Sequence, residues 1–153
     1  MRPTFKIACS RFQEEELSIK QKVIAIDGPS ASGKGTVALR VAQALGFDYL
    51  DSGALYRLTA LYAEKRGVGW RNEEAVAQLA ENLPVRFEET RIMLNDEDVS
   101  AQIRSEAIGM GASAIAQLPK VRAALLQCQR DFLTEKGLVA DGRDMGSVVF
   151  PDA

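Results

Sequence analysis

The chain has 153 residues, 46% hydrophobic and 26% charged, an ordinary globular composition with enough apolar material for one real core. With 19 Lys and Arg against 21 Asp and Glu, the formal net charge is −2, so no overall basic field recommends nucleic acid or an anionic membrane as a partner. The absence of histidine removes a His general base, a phosphohistidine intermediate and a His-ligated metal together.

Residues 1–21 stand apart. Phe5-Lys6-Ile7-Ala8-Cys9 is too short and too interrupted for a secretory apolar core, Arg11 to Glu16 is charged, and a short helix over 14–19 is compatible with the sequence. This stretch reads as a loosely held N-terminal extension ahead of a core that starts at Lys22. Val23 to Asp27 is an apolar strand. The helix after it places Val37, Val41, Ala44 and Leu45 on one face. Phe47–Asp51 reads as a short strand and Gly53–Arg66 as a helix. Asn72 caps a helix that runs to Leu83, with Glu73 and Glu74 in its first turn. The period then changes from helical to alternating. Pro84–Phe87 and Arg91–Leu94 form an antiparallel hairpin across Glu88-Glu89-Thr90, and Asp98-Val99 adds a third short strand. Ser105–Leu118 and Pro119–Lys136 are helical, the second with Val121, Leu125, Cys128, Phe132 and Leu133 as its core stripe and Gly137 as terminator. Leu138–Gly142 and Ser147–Phe150 close the chain as strand and strand-like pieces.

Apolar strands separated by helices imply a parallel sheet flanked by helices, an α/β fold. The hairpin does not belong in such a sheet, so the segment 84–114 reads as a small antiparallel insertion in a core spanning 22–153. The two cysteines, Cys9 and Cys128, show no metal-ligand spacing and read as free thiols in a reducing compartment, although a pair leaves one bridge open. No apolar run approaches membrane-spanning length, and a cytoplasmic protein is expected.

The chemistry starts between the first strand and its helix. Gly28-Pro29-Ser30-Ala31-Ser32-Gly33-Lys34-Gly35-Thr36 is a P-loop in the context a P-loop needs. Glycines let the backbone curl until successive N–H groups point at phosphate oxygens, the helix adds the positive end of its dipole, and Lys34 adds a full charge. As an ordinary strand-to-helix turn, the segment would leave unexplained a lysine placed where a cation opposes the dipole. The ligand class is therefore a nucleotide di- or triphosphate. The strict pattern puts Ser or Thr directly after the lysine, whereas here Gly35 stands there and Thr36 follows, a variant that resembles nucleoside monophosphate kinases. Contact of Thr36 with Mg²⁺, direct or through water, stays open.

In open α/β sheets ligands gather beyond the carboxyl ends of the strands. That edge collects the P-loop, Asp51-Ser52-Gly53-Ala54-Leu55-Tyr56-Arg57 and Asp141-Gly142-Arg143-Asp144. An arginine fork suits phosphate oxygens; an aspartate suits an Mg²⁺ water, a sugar hydroxyl or a base amino group. Any such arginine taken singly reads as a solvated surface charge or a structural ion pair. Two Arg-bearing loops at the edge of a P-loop do not.

The strings "IAIDGPSASGKGT", "YLDSGALYR" and "ADGRDMGSVVFPDA", in this order and spacing, resemble the bacterial cytidylate kinase family, and "DEDVSAQIR" and "LPKVRAALLQCQRDF" are similar to its intermediate segments. The resemblance runs from about Lys22 to Ala153. It implies a P-loop kinase-type sheet with an acceptor-binding insertion, ATP as phosphoryl donor, Mg²⁺, and CMP or dCMP as acceptor, in a monomer with no nucleic-acid or membrane partner. By matched position it implies Lys34, Arg57 and Arg143 as catalytic residues, the whole stretch from Gly28 to Thr36 as the ATP site, and Arg57, Arg143 and Ser30 on the acceptor phosphate. Ser113, Arg122 and Asp144 would read the cytosine edge, and Asp51 and Tyr56 would shape the acceptor site; Arg104 is a looser candidate. On the residues alone, Ser113 is a helix-surface hydroxyl and Arg122 a polar-face charge.

In that family the residues matching Pro151-Asp152-Ala153 lead into a further strand, an arginine-bearing lid and a C-terminal helix. The expectation is a fragment or a shortened reading frame with weakened or absent activity. Two other readings stay in play: a nucleotide-binding P-loop module without catalysis, and an NTPase that hydrolyses rather than transfers.

Overall fold

The computed structural model describes residues 5–8, 22–29, 32–88 and 91–153. The expected helix over 14–19 lies outside them. The chain divides into two compact units, one of Arg11–Gly53 with Gln129–Ala153, the other of Met1–Ser10 with Ala54–Cys128.

The first unit is built on three parallel strands, β2 (Val23–Asp27), β3 (Asp48–Asp51) and β7 (Leu138–Gly142), in the order β2-β7-β3. The strand latest in sequence therefore lies at the centre, with Val139 opposite both Ile24 and Tyr49. Every residue of β7 is buried, which is why it reads as a continuous apolar run closed by Asp141 and Gly142. Helix α1 (Lys34–Leu45) lays Ala38 and Ala42 against Val139, with Ile24, Ile26, Val41, Phe47 and Tyr49 around them. The buried face differs from the expected one. Val37 and Leu45 are about half exposed, because two alanines at i and i+4 let the helix backbone approach the sheet more closely than a larger stripe could. Gly46, in the left-handed region at φ 68°, stops the helix.

The tail of this unit corrects a second expectation. Met145–Val149 is one turn of π-helix and not a strand-like piece. Asp144 takes φ 57°, and the Asp27 carboxylate accepts the N–H groups of Met145 (2.7 Å) and Gly146 (3.1 Å), which curls the chain. The Arg130 guanidinium donates to the carbonyl of Val149 at 3.0 Å and holds the turn from outside.

The second unit holds most of α2 (Ser52–Lys65), then α3 (Glu73–Glu81), a small sheet, α4 (Glu106–Ile115) and most of α5 (Pro119–Arg130). Asn72 caps α3 as expected, its side chain accepting from the N–H of Ala75, and Ser105 caps α4 through the N–H of Ile108. Strands β4 (Pro84–Phe87), β5 (Ile92–Leu94) and β6 (Glu97–Asp98) are antiparallel, and Asn95 and Asp96 form the β5–β6 turn at φ 49° and 63°, where these residue types tolerate positive φ. The sheet has a fourth strand. Phe5–Ala8, expected in a loose extension, forms β1 and pairs antiparallel with β4, Phe5 opposite Phe87 and Ala8 opposite Pro84. An edge strand offers unpaired backbone groups, and a β-prone segment supplies the complement.

Helix α5 starts at Pro119 as expected but ends at Arg130, six residues before Lys136. Beyond it the backbone makes tighter bonds, Phe132 N–H to Gln129 and Leu133 N–H to Arg130, and the Thr134 hydroxyl accepts the N–H of Lys136, drawing the segment out of helix. Cys128 is buried and disulfide-bonded, contrary to the free-thiol expectation; the residue count alone does not fix proximity. Among the described residues no helix is long and apolar enough to cross a membrane.

Candidate active site

The predicted site residues divide between the two units. In the first, β2 ends at Asp27 and the chain turns at Gly28, whose N–H reaches the carbonyl of Gly142 at 3.3 Å. Gly33 sits at φ 85°, a conformation that glycine adopts without strain, and α1 follows at once. Among the described residues no side chain caps α1, and no acidic residue lies in its first turn. Its leading N–H groups and dipole are left for an outside anion. Ser30 and Ala31 lie outside the described residues; Pro29, Ser32, Gly33 and Thr36 are exposed, and Gly28 and Gly35 are half-buried.

Lys34 opens the helix with its Nζ 3.3 Å from Oδ1 of Asp141, side chains 21% and 4% exposed. The other carboxylate oxygen accepts the Tyr49 hydroxyl at 2.9 Å. Gly35 fits this packing: a Cβ there would stand 3.3 Å from Asp141 Oδ2 and 3.7 Å from the Tyr49 hydroxyl. The departure from the strict P-loop pattern thus has a local steric reason. Burial pushes the Tyr49 phenol well above its usual pKa, and the negative charge of Asp51, then the bond and charge of Asp141, push it the same way. Asp141 was quoted in a motif but not singled out. The available signal was a carboxylate closing an otherwise apolar, buried strand.

Asp51, Arg143 and Asp144 are exposed in the same unit. The two bonds from Asp27 fix the start of the turn that follows Arg143 and Asp144. Ser52, next to Asp51, donates to Gln129 Oε1 at 2.7 Å, and Gly142 lets that serine in, since a Cβ there would lie 2.7 Å from Ser52 Cβ.

In the second unit, Arg57 and Ser113 line one cavity of about 460 Å³ together with Glu106, Gly109 and Met110. Arg57 is held there. Its Nη1 donates to the carbonyl of Ile103 at 2.8 Å, and its guanidinium lies against Gly109, where a Cβ would come within 3.1 Å. The remaining donors of the fork are available to a ligand. Ser113 is exposed on α4, so its surface position and its place in the cavity are compatible. Tyr56 is half-buried; burial raises its phenol pKa, and the charge of Arg122 opposes that rise. Arg122 and Arg104 are exposed and are not among the residues lining the cavity. Gly109 and Glu106 were missed by the sequence reading, because a glycine that admits a guanidinium carries no local pattern.

Among the described residues no three His, Cys, Asp or Glu side chains cluster as a metal site. One group does suit a cation carried on a polyphosphate: Asp141 Oδ1 is buried, has no hydrogen-bond partner, and faces the P-loop lysine.

The cytidylate kinase family model matches residues 24–153 of this chain. The chain is similar to the cytidylate kinase of Neisseria meningitidis serogroup A, 77% identical over 134 residues that cover 88% of this chain and 62% of that protein. It is similar to the cytidylate kinase of Chromobacterium violaceum, 63% identical over 131 residues, 86% of this chain and 59% of that one. With the cytidylate kinase of Pseudomonas syringae pv. tomato the identity is 59% over 143 residues, 90% and 62% of the two chains. The chain thus spans about 60% of the length of the curated relatives it matches.

Proposed function

The chain belongs to the cytidylate kinase family, and on that premise we propose that it carries the nucleotide-binding parts of an enzyme moving the γ-phosphoryl group of ATP to CMP or dCMP. The observation that carries this reading is Lys34, a lysine that opens a helix directly after a glycine turn, backed by a buried carboxylate. A cation there is poorly placed for helix stability and well placed for a polyanion.

The ATP phosphates lie on main-chain N–H groups of the glycine-rich turn and on Lys34. Transfer to an existing phosphate needs no strong base, because the attacking oxygen is already anionic. It needs alignment and neutralisation of crowded negative charge, which amides, an ammonium and guanidinium forks provide. The missing histidines are then no handicap. Mg²⁺ bound with ATP would supply further neutralisation of charge, and Asp141 and the Thr36 hydroxyl are the groups that would hold it, directly or through water.

Residues 84–114 serve as the acceptor insertion. Arg57 and Arg143, with Ser30, take the CMP phosphate; Ser113, Arg122 and Asp144 read the base; Asp51 and Tyr56 shape the site. The cavity that Arg57 and Ser113 share supports the part given to those two residues, since about 460 Å³ falls within the range of roughly 300–1,000 Å³ usual for small-molecule sites. The reading carries with it a monomer working where CMP and ATP meet, in the cytoplasm.

A coupled ADP-release assay with CMP, dCMP, UMP and AMP tests it. ADP release that follows CMP and dCMP, with AMP at background, is expected. Equal turnover of AMP overturns the pyrimidine assignment, and phosphate release without any acceptor assigns hydrolysis instead. Affinity for ATP and CMP with no transfer at high protein concentration leaves a binding module.

A further inference from the structure

Asp141 is a carboxylate at the end of a fully buried central strand, and its side chain is 4% exposed. A charge in such a place needs partners. Among the described residues it has two, and they differ in kind. The Tyr49 hydroxyl donates to Oδ2 at 2.9 Å, a well-formed hydrogen bond. Lys34 Nζ lies 3.3 Å from Oδ1, close enough for charge attraction but without hydrogen-bond alignment, since Oδ1 has no hydrogen-bond partner. Tyr49 comes from β3, Asp141 from the adjacent β7 and Lys34 from the first residue of α1, all in one unit. Gly35 keeps the space between them clear.

The asymmetry has a consequence. A carboxylate turns easily about its last torsion, and a single strong bond to one oxygen fixes where the other points. A lysine stem with four rotatable bonds spreads over many rotamers unless something gathers it. We propose that Tyr49 is a positioning residue for the phosphate-binding lysine: its hydroxyl pins Asp141, and the pinned carboxylate holds Lys34 at the mouth of the glycine turn before nucleotide arrives. This rests on the reading of Lys34 as the phosphate ligand. The misaligned contact is easily surrendered to a more highly charged phosphate, so the lysine is ordered in advance and still free to leave. Ordering a side chain before binding lowers the cost of binding.

The test begins without nucleotide. In the full chain, acetylation of Lys34 by an N-hydroxysuccinimide ester is followed by mass spectrometry, with Lys22 and Lys136 as internal references. Tyr49→Phe is expected to raise the Lys34 rate about three- to tenfold, the factor one net hydrogen bond carries, and Asp141→Asn to match it. ATP affinity falls by a similar factor in Tyr49→Phe, and not at all when the same change is made in Lys34→Met. A tyrosine that only stabilises the fold shifts the thermal midpoint and leaves Lys34 reactivity alone. An unchanged Lys34 rate in a folded Tyr49→Phe protein overturns the proposal. Should that variant not fold, replacing tyrosine by 3-fluorotyrosine strengthens the donor and slows Lys34 acetylation; no change there overturns it equally. Wild-type chain that shows the acetylation pattern but binds no ATP keeps the positioning role and overturns the kinase reading.

Discussion

Lys34 and Arg57 are both cations at exposed or half-exposed places, yet their surroundings assign them different partners. Lys34 stands where a helix dipole already favours an anion, beside a misaligned carboxylate. Arg57 is bonded to the carbonyl of Ile103 and flattened on Gly109. Lys34→Met should lower the transfer rate by on the order of 10³-fold with little loss of stability, because the charge sits in an anion pocket and not in a core. Arg57→Ala should raise KM for CMP by about 100-fold and leave ATP affinity within about twofold. Steady-state kinetics with each substrate varied in turn separate the two; unchanged CMP kinetics remove Arg57 from the site. Tyr49 sets a pH dependence. Its folded pKa is raised, chiefly by burial, above the unfolded value of about 10, so its contribution to stability is fully present below about pH 10 and is lost as pH rises through the folded value. Denaturation midpoints measured between about pH 8 and 11 should hold and then fall above about 10. Tyr49→Phe should flatten that fall without abolishing it, since Tyr56 is shifted the same way.

Elements in this chain are placed by small residues as much as by large ones. Ala38 and Ala42 bring α1 onto β7, and Gly111 brings α4 onto Trp70, whose indole N–H is fixed on the carbonyl of Ala60 at 3.0 Å. A Cβ at 111 would run into the Trp70 ring, whereas one at 109 would meet the far end of the long Arg57 side chain at 3.1 Å. Gly111→Ala should therefore cost roughly 1–3 kcal/mol of stability by overpacking, and Gly109→Ala much less, its effect falling on CMP binding. Chemical denaturation of the pair checks this; equal losses would remove the steric argument. The cap at Asn72 and the proline opening α5 were legible, because the one acts on a backbone group three residues away and the other on its own φ. The early end of α5 and the π-turn at Met145–Val149 were not. Both depend on bonds to side chains or carbonyls whose proximity local periodicity does not encode, Asp27 being more than a hundred residues from the amides it holds.

At the scale of the whole molecule, two units emerge from a chain whose sequence reads as one core with an insertion, each unit assembled from separate stretches of sequence. Some properties were set by the sequence alone. The alternation of apolar strand and helix required a parallel sheet, because only a covered sheet can bury such strands. The proposed phosphate ligand is legible in the glycine-lysine turn, because its chemistry lies in backbone amides and one charge within nine residues. The change of period near Pro84 announced the antiparallel strands that β4 and β5 form. Other properties were decided only by the tertiary structure: β7 as the central strand, Phe5–Ala8 as a partner of β4, Asp141 beneath Lys34, and Arg57 with Ser113 around one cavity. Each of these is a contact between residues far apart in the chain, and such contacts are chosen by which surfaces fit once the elements exist, a choice that no local run of residues contains.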